Sequence, residues 1–298
     1  MKIMMMRWAM IVLLLCGASF GAQAFNAMIY QPLQRDMKIP TTFWPKTFTE
    51  LRKRGFDTLV FQWTRHGDIF SSGIEQQWLR DRLKDALDAE LNLVIGLYAD
   101  PDSFSALDGS TELLEPYFLL NNEKNLALAK IWLSAIPAER IVGWYIPIEI
   151  DDRRWRARGD EIVLSTQLRR EVNSLRNLSN KPVYMSAFFK GHSEPSEFKE
   201  LLTLIRQSTG LGLWVQDGRG TKTLLPSETD LYLKTLSHCA DSPVAGLVYE
   251  IFHQVGPDTN FKADPLAPAA LTKALQQRAP CGGDSVFFEL RYLFKFPN

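Results

Sequence analysis

Eight short apolar runs, most of them followed by a longer helical pattern, divide the chain from residue 27 onward. The runs fall at 27–31, 58–63, 92–98, 141–148, 182–188, 212–216, 246–251 and 285–290. They are rich in Val, Ile, Leu and Tyr and show little polar/apolar alternation. Such runs suit parallel strands covered on both faces. The spacing predicts helices at 47–54, 76–89, 123–135, 160–178, 195–207, 228–238 and 268–277, with none after the last strand. A βα repeat implies right-handed crossovers. Eight strands favour a closed (β/α)8 TIM barrel over an open doubly wound sheet. No GxGxxG follows the first strand, which argues against a dinucleotide-binding domain. A barrel of this type takes roughly 250 residues. One barrel domain over 25–298 therefore uses up the 298-residue chain.

The first 24 residues read as a secretory signal peptide. Lys2 and Arg7 make a basic start, Trp8 to Cys16 is apolar, and Ala22-Gln23-Ala24 is a small-x-small cleavage site before Phe25. The apolar run is shorter than the roughly 20 residues a membrane span needs. The expectation is a periplasmic or secreted protein with no membrane span after cleavage. A lipid anchor at Cys16 is the rival, and Leu15 stands where such signals usually carry a small residue. Removing Lys2 and Arg7 leaves 32 basic against 34 acidic residues. A slightly acidic chain argues against a nucleic-acid binder working through a basic face. Cys239 and Cys281 remain, free to pair in an oxidising compartment or to stand as two thiols. Neither they nor His66, His192, His238 and His253 show metal-ligand spacing, so no metal or organic cofactor is expected.

Active sites of such barrels lie at the carboxyl ends of the strands. Two acids stand out there. Glu149 lies among Tyr145, Ile146, Pro147, Ile148 and Ile150, and Glu250 among Val248, Tyr249, Ile251 and Phe252. A carboxylate in an apolar strand is costly to bury, so it needs a partner or a polar cavity. Apolar surroundings raise its pKa, which suits a general acid. A second carboxylate across the barrel mouth can act as nucleophile, with a sugar held between them. The competing reading pairs these glutamates with Arg65 or Arg291 inside the barrel. Glu289 is open to both readings, and Asp151 and Asp152 also read as loop caps. Gln31, Trp63, Arg65, Tyr98, Asp151, Gln216, Glu289 and Tyr292 are the candidate substrate-binding residues. Trp63, Tyr98, Trp144 and Trp214 read equally as core or as platforms for sugar rings.

The segment from Val142 to Asp152 (VGWYIPIEIDD) resembles the strand-four signature of a bacterial family catalogued as domain of unknown function 4434, a group of candidate glycoside hydrolases. Met28-Ile29-Tyr30-Gln31-Pro32 and Phe61-Gln62-Trp63-Thr64 are similar to it as well, and the likeness runs from about Asn26 to Leu290. The resemblance implies a TIM barrel related to glycosidase clan A. In that clan the acid/base Glu ends strand four and the nucleophile Glu ends strand seven, the places held here by Glu149 and Glu250. The clan usually has Asn before the strand-four Glu, contacting the sugar 2-hydroxyl; here that residue is Ile148. The expected function is cleavage of a poly- or oligosaccharide by these two glutamates. The alternative is a non-catalytic carbohydrate-binding barrel associated with exopolysaccharide assembly or export.

Overall fold

A computed structural model describes residues 24–256 and 261–297. Of the signal peptide expected over 1–24, residues 1–23, with Cys16 of the lipid-anchor reading, lie outside the described residues. Eight parallel strands close into a barrel, each beside its sequence neighbours and the last beside the first. They are β1 (Asn26–Tyr30), β2 (Thr58–Phe61), β3 (Asn92–Gly96), β4 (Ile141–Ile150), β5 (Val183–Ala187), β6 (Gly212–Gln216), β7 (Gly246–Glu250) and β8 (Asp284–Phe288). The helices around them are α1 (Phe43–Lys53), α2 (Gly73–Asp88), α3 (Thr111–Ala135), α4 (Arg158–Leu178), α5 (Pro195–Thr209), α6 (Pro226–Leu236) and α7 (Pro268–Leu275).

Local chemistry sets where these helices begin. Pro195, Pro226 and Pro268 each open one, where a missing N–H costs nothing. Ser72 and Glu75 form a capping box at α2. Two sequence expectations need correction. Helix α3 begins at Thr111, twelve residues before the predicted start, because Pro116 reads as a break yet sits inside the helix. A one-turn helix, Leu290–Leu293, also follows β8, where none was expected.

The core has two layers. The larger packs strands against helices. The smaller fills the barrel interior with Ala27, Ile29, Val60, Val94, Tyr145, Tyr184, Trp214, Val248 and Val286. Tyr184 lies between two glycines. A Cβ at Gly143 or Gly212 would stand 2.6 or 2.4 Å from its ring. Tyr184 stacks on Trp214 at 4.5 Å between centroids, and Trp214 stacks on Tyr145 at 5.9 Å. Strand β4 is bulged. Its Trp144 and Tyr145 face Val183 and Tyr184, whereas Glu149 and Ile150 face Ser186 and Ala187, so Ile146, Pro147 and Ile148 oppose Met185 alone. Cys239 and Cys281 are joined in a disulfide, Cα to Cα 5.3 Å. Among the described residues no helix is long and apolar enough to cross a membrane.

Between α3 and α4, Asn125 donates to Glu171 Oε1 at 2.5 Å, while Oε2 has no partner among the described residues. Burial pushes the Glu171 carboxyl up to about 7. A carboxyl protonated in the fold but ionised in the unfolded chain makes stability fall as pH rises from about 4.5 to about 7. The loss reaches about 3 kcal/mol. Glu171→Gln is therefore expected to raise the melting temperature by several degrees at pH 8 and not at pH 4. Thermal unfolding at the two pH values checks this.

Candidate functional site

A cavity of about 450 Å³ opens at the carboxyl ends of the strands, with both Glu149 and Glu250 in its wall. Glu149 reaches it because Tyr145, Pro147 and Glu149 share the inner face of β4, while Ile146 and Ile148 are buried on the helix-facing side. Glu149 Oε1 accepts hydrogen bonds from Gln216 Nε2 at 2.5 Å and Ser186 Oγ at 3.2 Å. Ser186 Oγ is also 2.7 Å from the Tyr145 hydroxyl. Burial raises the Glu149 carboxyl above the usual range, and the bonds from Gln216 and Ser186 partly offset it.

Glu250 is only 6% exposed. Its Oε2 accepts from the backbone amides of Gly220 at 2.6 Å and Thr221 at 3.1 Å. The loop that supplies these amides follows β6, and it can come this close only through glycine. A Cβ at Gly220 would lie 2.9 Å from both Glu250 Cβ and Oε2. Asp217, at the root of that loop, accepts from the Glu250 amide at 3.3 Å. Burial raises the Glu250 carboxyl, the negative charge of Asp217 adds to it, and that of Glu149 adds further. The two glutamates thus face a common space, and Glu250 senses the charge of Glu149.

The other predicted residues divide. Gln31, Trp63 and Gln216 line the cavity. Gln31 donates to Gln62 at 2.9 Å, and the Trp63 indole donates to the Pro32 carbonyl at 2.9 Å. Five do not line it, and each has a physical reason. Arg65 turns to the Gly67 carbonyl at 3.0 Å. Tyr98 is buried beneath Lys124, whose ammonium lies 4.0 Å from the ring centre. Asp151 accepts from the Arg154 amide at 2.7 Å, starting the next loop. Glu289 is bonded to Arg291 Nε at 3.2 Å and to the Gln31 amide at 3.2 Å. Tyr292 faces a neighbouring groove beside Arg35 and Lys38. Arg291 is engaged by Glu289 and Asp36, and Arg65 by Asp68 at 3.7 Å, so the competing pairing of Glu149 and Glu250 with these arginines is not seen among the described residues. Of the undecided tryptophans, Trp214 forms the cavity floor, and Trp144 is core, donating to Ser179 at 2.9 Å.

Sequence reasoning missed Tyr145 and Ser186, which sit inside strands rather than at their ends. It also missed the rim, where Phe104 is 59% and Phe261 50% exposed beside Asp100 and His66. Burial lowers the His66 pKa, leaving the imidazole neutral at pH 7. Among the described residues no Lys or Arg is in the cavity wall. Among the described residues no group of three or more His, Cys, Asp or Glu is placed to hold a metal ion.

Residues 26–298 match the family model described as domain of unknown function 4434. The chain is 37% identical over 290 residues to the uncharacterized protein YbcH of Escherichia coli (strain K12), covering 97% of each. Among solved structures it is similar to a candidate alpha-L-fucosidase from Bacteroides thetaiotaomicron, with a TM-score of 0.63, 15% identity, and 97% of this chain and 91% of that one covered. It is also similar to the catalytic domain of a beta-amylase from Paenibacillus polymyxa, with a TM-score of 0.55, 10% identity, and 92% and 94% covered. At these identities the two structures speak for the barrel fold. The family match, spanning the whole barrel from β1 onward, makes this chain a member of the domain of unknown function 4434 family.

Proposed function

We propose that this protein is a glycoside hydrolase that acts on a poly- or oligosaccharide in the periplasm or outside the cell. The observation that carries this reading is the meeting of Glu149 and Glu250, from strands β4 and β7, in one aromatic-rimmed cavity. Glu149 is the proton donor. Burial favours its protonated form, and Gln216 and Ser186 fix its orientation toward the leaving oxygen. Glu250 is the nucleophile: its carboxylate bonds to the anomeric carbon as the glycosidic C–O bond breaks and Glu149 transfers its proton to the departing oxygen. Water, deprotonated by Glu149, then opens the glycosyl-enzyme and returns Glu250 as a carboxylate. Burial and the charge of Asp217 push the Glu250 carboxyl up to about 8, and the backbone amides on Oε2 work against them in favour of the ionised form. Phe104, Trp63 and Phe261 offer ring faces for the apolar side of a pyranose.

The charge of the wall narrows the substrate. Asp100 and the Glu250 nucleophile give the wall its acidic character, and among the described residues no Lys or Arg lines it, Lys190 acting on Glu149 from outside the wall. A uronate or sulfated sugar would be repelled, so uncharged sugars are the expected substrates. The test is a screen of the purified protein against neutral and acidic polysaccharides, read by reducing-end release. Release from neutral glycans alone is expected. Release from uronate polymers as fast as from neutral ones would refute the charge argument.

A second reading is a non-catalytic carbohydrate-binding barrel serving exopolysaccharide assembly or export. The burial of Ile148 on the helix side favours it, because nothing at that position reaches a sugar 2-hydroxyl. Binding of neutral glycans without any product would select this reading over hydrolysis.

A further inference from the structure

The opposite end of the barrel holds a buried acid that, among the described residues, is bonded to no cation. Asp284, at the start of β8, is 8% exposed. Its Oδ1 accepts a hydrogen bond from the backbone nitrogen of Phe25 at 2.9 Å. Its Oδ2 accepts from the Trp214 indole at 2.9 Å. The charge that acts on it is another acid, Asp57, whose two oxygens accept from the Asn26 amide at 3.2 and 3.1 Å. The Asp284 backbone is tightly packed against its neighbour strand. Gly246 passes so close that a Cβ there would lie 2.2 Å from the Asp284 carbonyl oxygen and 2.7 Å from its Cβ. A buried carboxylate held next to a second one, with only neutral donors, is an unstable arrangement.

Phe25 is fixed with equal firmness. Its carbonyl accepts from the Ser285 amide at 2.8 Å, and its ring meets Tyr184 edge-on at 5.8 Å. The backbone nitrogen that points at Asp284 belongs to the residue that follows the Ala22-Gln23-Ala24 cleavage signal. We propose that Asp284 is the receptor for the α-ammonium of Phe25 once processing after Ala24 frees it. The resulting ion pair positions Trp214, and hence the floor of the cavity. In the unprocessed chain the same nitrogen is an amide and carries no charge. After cleavage it becomes a cation at hydrogen-bond distance from Asp284 Oδ1, with Asp57 close by. The constraint travels up the barrel axis. Trp214 is bonded to Asp284 at its lower edge, stacked between Tyr184 and Tyr145, and lines the floor of the cavity above. Asp284 is a positioning residue in this scheme, since it acts on the site only through Trp214.

The α-amino group should titrate above its ordinary value of about 7.7–8.0, because the fold favours its charged form. Its contribution is then complete below that value and is lost as pH rises through the higher folded pKa. The groups facing it are Asp57 and Asp284, with Arg206 and Tyr184 lining the same lower groove. The Arg206 guanidinium is bonded to the Ser242 and Val244 carbonyls, so it does not serve Asp284.

The test compares the chain beginning at Phe25 with one beginning at Ala24, which moves the ammonium by one residue, about 3.8 Å. The Phe25 form is expected to melt roughly 3–8 °C higher at pH 7, with the gap closing at high pH. Asp284→Asn should remove the gap. The near-ultraviolet circular dichroism of the two forms should differ, and Trp214→Phe should abolish that difference, which a merely structural tether would not require. Equal melting temperatures and identical spectra would overturn the proposal even if Asp284→Asn failed to fold. So would a gap that survives in a folded Asp284→Asn protein, or a native protein whose first residue is not Phe25. None of these outcomes depends on whether the protein cleaves sugars.

Discussion

Exchanging Glu149 for Gln is expected to cut product release from natural glycans by about 10²–10⁴-fold. Glutamine keeps the oxygen that accepts from Gln216 and Ser186 but has no proton to give. The loss should therefore depend on the leaving group. A nitrophenyl glycoside, which departs without protonation, should retain far more of its first-step rate than a polysaccharide does. Glu250→Gln should abolish both, because no covalent intermediate forms. Its amide oxygen can still accept from Gly220 and Thr221, so the loop after β6 stays seated. Both variants also replace a carboxyl that burial has raised, so neither should melt below the wild type at pH 7. Equal release by wild type and both variants would show that these glutamates are not the catalytic pair.

Arg291→Ala has the largest expected effect on stability. The guanidinium holds Asp36 at 3.0 and 3.2 Å, Glu289 at 3.2 Å and the Gln31 carbonyl at 3.1 Å. Asp36 and Glu289 are 1% and 2% exposed. Removing their shared cation leaves two buried acids facing each other, at a cost of roughly 3–5 kcal/mol. A drop in melting temperature on the order of 10 °C follows. Glu289 is already pushed up to about 7 by burial despite the arginine. Without it the acid protonates more readily in the fold than in the unfolded chain, so the deficit should be smaller at pH 5 than at pH 8. Arg291→Lys should recover only part of the loss, because an ammonium cannot serve three acceptors in one plane. A deficit unchanged between the two pH values would show that the acids are not ionised partners of Arg291.

The barrel was legible because both faces of each strand are covered, so each strand reads as an unbroken apolar run. The helix boundaries were less so, as Pro116 shows: its ring fits within α3, yet in sequence it reads as a stop. In the site, Glu149, Glu250 and Gln216 were recoverable because a polar side chain ending an apolar strand has few other places to go. Nearness to a strand end does not say which way a side chain turns. Tyr98 lies two residues past the end of β3, and the chain has already bent by then, carrying its ring under Lys124 rather than into the cavity. Tyr145 and Ser186 escaped notice for the opposite reason. Both lie within strands and read as ordinary core, and only barrel closure reveals that the inner face of β4 meets that of β5 at a hydroxyl pair.

The bulge in β4 has a bearing on parity. Between Tyr145 and Glu149 the strand takes four steps while β5 takes two from Tyr184 to Ser186. The surplus is an even number, and side chains alternate with a period of two. Glu149 therefore keeps the facing it would have had without the surplus and is only advanced along the barrel axis. An odd surplus would have sent the carboxylate outward among the helices. Length changes in this strand should thus be admissible in twos and lethal in ones. Deleting Pro147 alone should expel Glu149 from the cavity. Deleting Pro147 with Ile148 should leave it pointing inward but set deeper.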